Sequence, residues 1–378
     1  MKKIWMNFSR ILIGVVFVFS SFVKGVDPLG TAYKLEDYFA AFGTAWANDY
    51  SLIFSIVLCT LEFMIGIALL LNLRMNFTAW ALLLMMVFFT GLTLNDAIFN
   101  PVPDCGCFGD AITLSNWETF YKNVVLMLFV FIVFRRRKEF NSCWKFVIQN
   151  VLLVLLTFIF IGFSYYNYTQ LPLIDFRPWK VGNNMSGDKN AEVKVYLRYR
   201  NVETGEEKEY LSPDYPWNDP EWMDRWEFVD QRFESDKAQI AHNLLAEDES
   251  GNDFTSYILE SEEMFVFVSY DIKKASKNSL IKISEIGKML EESGYKVVLL
   301  TSCLPEEVKI YQKDYDVGFE TFYADEVVLK TIIRSNPGLV LFHKGFVASK
   351  WHFNSLPHLD EVQSLVSELD EKYSIENP

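Results

Sequence analysis

The chain has 378 residues, 51% of them hydrophobic and 16% aromatic, with a net charge of −14. That charge is unevenly held: up to Gln170 there are 12 Lys/Arg against 10 Asp/Glu, so the remainder carries −16. An apolar, slightly basic first part and an acidic second part exclude nucleic acid as a partner, because no basic face replaces phosphate counterions.

The first part contains five apolar runs, at about 4–23, 50–72, 77–95, 120–134 (perhaps beginning near Asn116) and 146–165. Each approaches the roughly 20 residues that cross hydrocarbon as a helix. The first run is long for a signal peptide, and Ser20 to Lys24 makes a poor cleavage site, so it is read as a retained span. Basic residues set the orientation. Lys2, Lys3, Arg10, Arg74, the run Arg135 to Lys138, and Lys145 all fall on one side, which is expected to be cytoplasmic. The loops 25–49 and 96–119 then face outward. With five spans, so does everything after about residue 166. Trp46, Tyr50, Trp117, Tyr121, Tyr165 and Tyr166 sit at predicted outer boundaries. The expected location is a cell inner membrane, with a cytoplasmic N-terminus and a periplasmic C-terminal part, and the lipid bilayer is an expected partner.

Two features of this part carry candidate chemistry. Glu62 lies near the middle of the second span, where a carboxylate is expensive and normally faces a partner inside the bundle. Lys24, ending span one, and Lys122, starting span four, are the candidate partners, with Asn95 and Asp96 on the same side. Such a cluster either relays protons and polarises a quinone carbonyl, or is an ion pair that fixes packing. The second feature is the turn-rich stretch Pro101 to Asp110, which holds Cys105 and Cys107. On an outer face, such thiols can pass electrons between a soluble dithiol and a lipid quinone by exchange. A loop-fixing pair and a metal site are the alternatives. The five cysteines make no disulfide framework and no paired CxxC zinc pattern, and the chain has no HExxH, GxGxxG, P-loop or GxSxG.

The stretch from Phe22 through Lys24, Asp27 and Pro28 to Phe39 comes first. Cys59 to Glu62 with Gly66, then Asp104 to Asp110, then Trp117 to Lys122 follow in order. Over about residues 1–140 this succession resembles the DoxX/MauE family, and more narrowly the DoxX-like proteins of Bacteroidetes. The resemblance implies a four-helix membrane bundle. Through the MauE branch it also implies disulfide handling in methylamine dehydrogenase maturation, beside a thioredoxin-like partner. It points to Cys105 and Cys107 as the redox pair.

Beyond the spans, Val193 to Arg200 alternates like a strand, Asn201 to Gly205 reads as a turn and Glu206 to Leu211 as a return strand. Trp217, Trp222 and Trp226 form an aromatic cluster that either packs a small domain or binds a glycan or partner. From about residue 255 strands and helices alternate: a strand at 264–269, a helix at 274–292, a strand at 295–301 and a helix from Pro305 to Tyr315. A short helix at 326–334, a hairpin around Lys344-Gly345 and a helix at 358–373 follow. This order, with Ser335-Asn336-Pro337 where a cis-proline belongs, resembles a thioredoxin-like domain. Its dithiol position instead reads Ser269 to Ser276, without cysteine, and Cys303 stands alone.

The expected fold class is therefore a membrane all-α DoxX/MauE-like four-helix bundle (1–140) with a fifth transmembrane helix (141–166). An extracytoplasmic β-rich linker region (167–234) and an α/β thioredoxin-like domain without CxxC (235–378) follow. The expected function is membrane thiol–disulfide redox or maturation of envelope proteins. Cys105 and Cys107 would act, and the thioredoxin-like domain would bind an envelope client or dithiol partner. A non-catalytic membrane scaffold is the competing reading. A transporter is disfavoured by the absence of an internal repeat.

Overall fold

The computed structural model describes residues 2–102, 106–186, 193–202, 206–211, 216, 222, 225–235 and 244–376. Its N-terminal half contains α1 (Lys2–Val26), α2 (Pro28–Ala41), α3 (Ser51–Leu71), α4 (Met75–Phe99), α5 (Asn116–Arg135) and α6 (Phe146–Thr169). All of these except α2 are long and apolar enough to cross a membrane, and they make this a multi-pass membrane protein.

Helix α2 falls in the stretch 25–49 that the sequence analysis leaves as a loop. Its signals are local. Asp27 caps it by accepting from Gly30 N at 2.9 Å, and Pro28 occupies the first turn, where its missing N–H costs nothing. The start of α5 is fixed by a capping box: Ser115 accepts from Glu118 N while Glu118 accepts from Ser115 N at 2.9 Å. Span four therefore begins at Asn116.

Helices α1, α3, α4 and α5 share one core, built from Ile13, Phe17, Ile65, Leu69, Leu82, Leu126 and Val130. Lipid supplies no hydrophobic drive between helices, so close packing has to hold them. At the α1–α3 crossing a Cβ on Gly66 would lie 2.9 Å from Val18 N, so only glycine lets the backbones approach this closely. Helix α6 packs outside this group: Phe160 stacks on Phe63 at 4.4 Å and Phe163 on Phe22 at 5.6 Å. The basic residues gather at one end. There Arg10 donates to the carbonyls of Leu69 and Leu70, and Arg74 N donates to Gln149.

A small antiparallel sheet follows, of β1 (Val193–Asn201), β2 (Glu207–Leu211) and β3 (Trp226–Ser235) in the order β2-β1-β3. The first hairpin matches expectation. The third strand, which begins at Trp226, is not among the elements expected from sequence. Trp222 and Trp226 stack at 6.0 Å, whereas Trp217 lies outside the described residues.

The C-terminal part is α/β. Its sheet comprises β4 (Met264–Ser269), β5 (Lys296–Thr301), β6 (Glu320–Tyr323), β7 (Gly338–His343) and β8 (Phe346–His352), in the order β6-β5-β4-β7-β8. Strands β4, β5 and β6 run parallel, β7 is antiparallel to β4, and β8 is antiparallel to β7. The central strands are apolar throughout because both faces are covered. Val266, Val268, Val298 and Val340 face α7 (Thr255–Glu260), α10 (Glu326–Ile332), Trp179 and Met185. Phe265, Phe267, Leu299 and Leu341 face α8 (Lys277–Glu292), α9 (Pro305–Tyr315) and α11 (Leu359–Glu376). The short elements α7 and β6 carry too little periodicity to be read from sequence. The hairpin turns at Lys344 and Gly345 as expected, both with positive φ, and Asn336–Pro337 is cis.

Candidate functional site

A cavity of about 370 Å³ lies inside the bundle at the end away from the basic residues. Its walls come from α1, α2, α3, α4 and α5, and its roof from residues 106–110 and 172–177. Most of the lining is apolar, including Phe17, Phe39, Phe89 and Leu92. The polar groups gather where Lys24, Glu62, Ser20, Lys122 and Asn123 meet Cys107.

The sequence places Lys24 and Glu62 38 residues apart; the α1–α3 packing brings them together. Lys24 Nζ lies 2.8 Å from Glu62 Oε1 and 2.9 Å from Oε2, with both residues buried. A buried carboxylate held this way leaves no isolated charge in hydrocarbon. Ser20 then links the pair to the cysteine loop. Its Oγ donates to the Cys107 carbonyl at 2.7 Å and lies 3.3 Å from Glu62 Oε2.

Lys122 is on the same cavity but outside the ion pair. Its ammonium sits over the Phe108 ring at 4.3 Å, and no carboxylate among the described residues pairs with it. Asp96 also stays apart from Glu62: it is fully buried and accepts from Tyr38 of α2 at 2.7 Å. Cys107 lines the cavity, while Cys105 lies outside the described residues. The entry to this loop is tied down by Asn116, which donates to Asn100 Oδ1 at 2.7 Å and to the Val102 carbonyl at 2.9 Å.

The C-terminal part closes over this end. Arg334, three residues before the cis-proline, donates to Asp27 at 2.8 Å and to Asp110 at 3.2 Å. Burial alone would lower the Arg334 pKa, but Asp27 and Asp110 outweigh it and hold the guanidinium above its ordinary value. Gly30 makes room for this contact: a Cβ there would lie 2.6 Å from Asp27 Oδ2 and 2.9 Å from Arg334 Nη2. Tyr33 of α2 donates to the Tyr270 hydroxyl at 2.9 Å, and Lys330 stands over the Tyr33 ring at 4.4 Å.

Arg177 and Lys350 reinforce the roof. Arg177 grips Asp175 through two nitrogens, at 2.8 and 3.0 Å, and Lys350 shares that carboxylate at 2.6 Å. One carboxylate serves two cations. Burial first, then the neighbouring Arg177, bring Lys350 down to about 7.

Sequence reasoning did not find Ser20, Asn123, Arg334, Asp27, Asp110 or Tyr33. Asp110 is visible in the cysteine stretch, but its partner lies 224 residues away. The loop Ser269 to Ser276 has no cysteine. It is tied to the cis-proline loop by Asn336, which accepts from Ser269 Oγ at 2.9 Å and donates to the Asp271 carbonyl at 2.7 Å. Cys303 is buried behind it and accepts from Ile272 N at 3.2 Å.

Residues 2–136 match the family described as methylamine utilisation protein MauE, so the membrane part through span four is similar to that family. Neither a curated protein nor a solved structure matches the chain.

Proposed function

We propose that this protein is an inner-membrane thiol–disulfide module serving envelope proteins, with Cys105 and Cys107 as its redox pair on the outer face. The observation that carries the reading is the placement of Cys107. It lines a cavity whose polar groups include the Lys24–Glu62 pair, Ser20 and Lys122. A thiol pair exchanges with a soluble dithiol through its thiolate, and nearby cations favour that form. The match to MauE over residues 2–136 supports the same reading.

The C-terminal part is read as a thioredoxin-like binding module. Strand order, the cis Asn336–Pro337 bond and helix α8 after β4 support this. Its substrate-facing end carries Tyr270 and Arg334, which lie against α2 and the cysteine loop. Without cysteine in Ser269 to Ser276, this domain holds a client or partner near the loop and leaves exchange to Cys105 and Cys107. The missing dithiol is also the observation that favours a non-catalytic scaffold. Replacing Cys105 and Cys107 with Ser separates the two. The redox reading expects envelope substrates to accumulate in the wrong thiol state; an unchanged substrate profile with the protein present at normal level leaves the scaffold.

A further inference from the structure

We infer that the cavity beside Cys107 binds the ring of a prenylated quinone, which reaches it sideways from the bilayer. The inference rests on the thiol–disulfide reading, and it names the electron acceptor that reading requires.

Access is the first argument. Phe42 and Phe88 line the cavity yet are 52% and 63% exposed, so this side opens among lipid-facing side chains. The water-facing side is roofed by residues 172–177 and the cysteine loop, with Arg334 bonded to Asp110 above it. A ligand that dissolves in the bilayer has an open path; a water-soluble one meets the roof.

Chemistry at the head end is the second. Lys24 has three N–H donors, and two hydrogen bonds go to Glu62. Lys122 offers an ammonium with no carboxylate partner among the described residues, and Asn123, whose amide nitrogen has two N–H groups and gives one to Thr93 Oγ1 at 3.2 Å, lines the same cavity. These donors suit a carbonyl oxygen. A phospholipid phosphate fits poorly, because it would set a full negative charge next to the Glu62 carboxylate, whereas a carbonyl brings only lone pairs. Phe89 and Phe108 supply flat faces for a ring, and the remaining apolar lining suits a prenyl tail.

The step balances. The Cys105 and Cys107 thiols lose two protons and two electrons as the S–S bond forms. The quinone carbonyls take up both and become a quinol. The disulfide is then reduced again by a client dithiol, which leaves oxidised.

The test is equilibrium binding of decylubiquinone to the full chain in nanodiscs, with decanol as a tail-only competitor. Saturable binding that decanol does not displace is expected. Lys122→Met removes no ion pair among the described residues and should weaken binding roughly tenfold, the equivalent of one charged hydrogen bond. Asn123→Leu should weaken it further. Displacement by decanol as effective as by quinone, or undiminished affinity in Lys122→Met and Asn123→Leu, overturns the inference. Binding without any quinone-dependent change in thiol state would keep the quinone site and sink the thiol–disulfide reading instead.

Discussion

In the membrane bundle the charges are inside. Lys24, Glu62 and Asp96 are buried between helices whose outer faces expose Ile53, Phe77, Leu84, Leu128 and Phe158. In the C-terminal part the sheet core is apolar: Val266, Phe267, Leu299 and Leu341 are buried in it. Both arrangements follow from the solvent each part meets. Water rewards burying apolar surface, so the C-terminal part gains from its core directly. Lipid gives no such reward, so the bundle relies on close contacts such as Gly66 on Val18 and on satisfied polar pairs. On the proposed reading the difference also separates chemistry from recognition: the polar cluster serves the thiol pair, whereas the sheet meets the bundle through Tyr270, just after β4, and Arg334, just before β7.

The sharpest way to break this comparison is to unbalance the interior charge. Glu62→Gln leaves the Lys24 ammonium buried without its counter-ion and should cost about 3–5 kcal/mol. The thermal midpoint of the full chain in detergent should fall accordingly, and Lys24→Met added to Glu62→Met should recover most of the loss. A cost below about 1 kcal/mol, the ordinary value of an exposed pair, would mean the cluster is hydrated.

The contact between the two parts comes next. Arg334→Gln removes the charged hydrogen bonds to Asp27 and Asp110 and should loosen docking by about 1.5–3 kcal/mol. Gly30→Val should act the same way by crowding Asp27 and Arg334. Hydrogen exchange in α2 and around Tyr270 should speed up in both variants while exchange within β4 and β7 stays slow. Faster exchange in the sheet as well would show that Arg334 supports the C-terminal fold and not its docking.

The last effect concerns pH, is small at any one unit, and belongs to the C-terminal part alone. His352 is buried, and its Nδ1 accepts from Asn354 N at 3.1 Å; burial, aided by Lys282, brings its pKa down from 6.5 to about 4. The unfolded chain therefore binds the proton more readily. Stability is full above pH 6.5 and falls by about 1.4 kcal/mol per unit as pH drops from 6.5 towards 4. His352→Gln should flatten this slope in melts followed by the C-terminal signal. An unchanged slope would assign the pH dependence to other groups.

Much of this fold is legible in the sequence where one physical rule dominates. Unbroken apolar runs give the spans, Pro305 gives the start of α9, and Lys344-Gly345 gives the last hairpin. The charged middle of span two likewise points to Glu62 and to Lys24. Where signals compete, the reading stops short. Asp27-Pro28 announces α2, but the polar run Lys34, Glu36 and Asp37 reads as loop. Strand β6 has four residues, too few for a period. Lys122 is visible as a charge near the cavity, but its place over Phe108 depends on how the cysteine loop folds back. The latch is the least legible part: Arg334 and Asp27 are 307 residues apart, and neither is unusual in its own neighbourhood. Trp179 and Met185 join the C-terminal core from well upstream of residue 235, across a stretch whose composition gives no warning.

The central claim is that electrons pass through the membrane part, at Cys105 and Cys107, and not through the C-terminal part. Thiol trapping of the full chain in native membranes tests it most directly. Alkylation and mass measurement should find the pair shifting from dithiol to disulfide when quinone is added and back when a dithiol is supplied, with Cys303 unchanged. A pair that keeps one state under both additions would contradict the account.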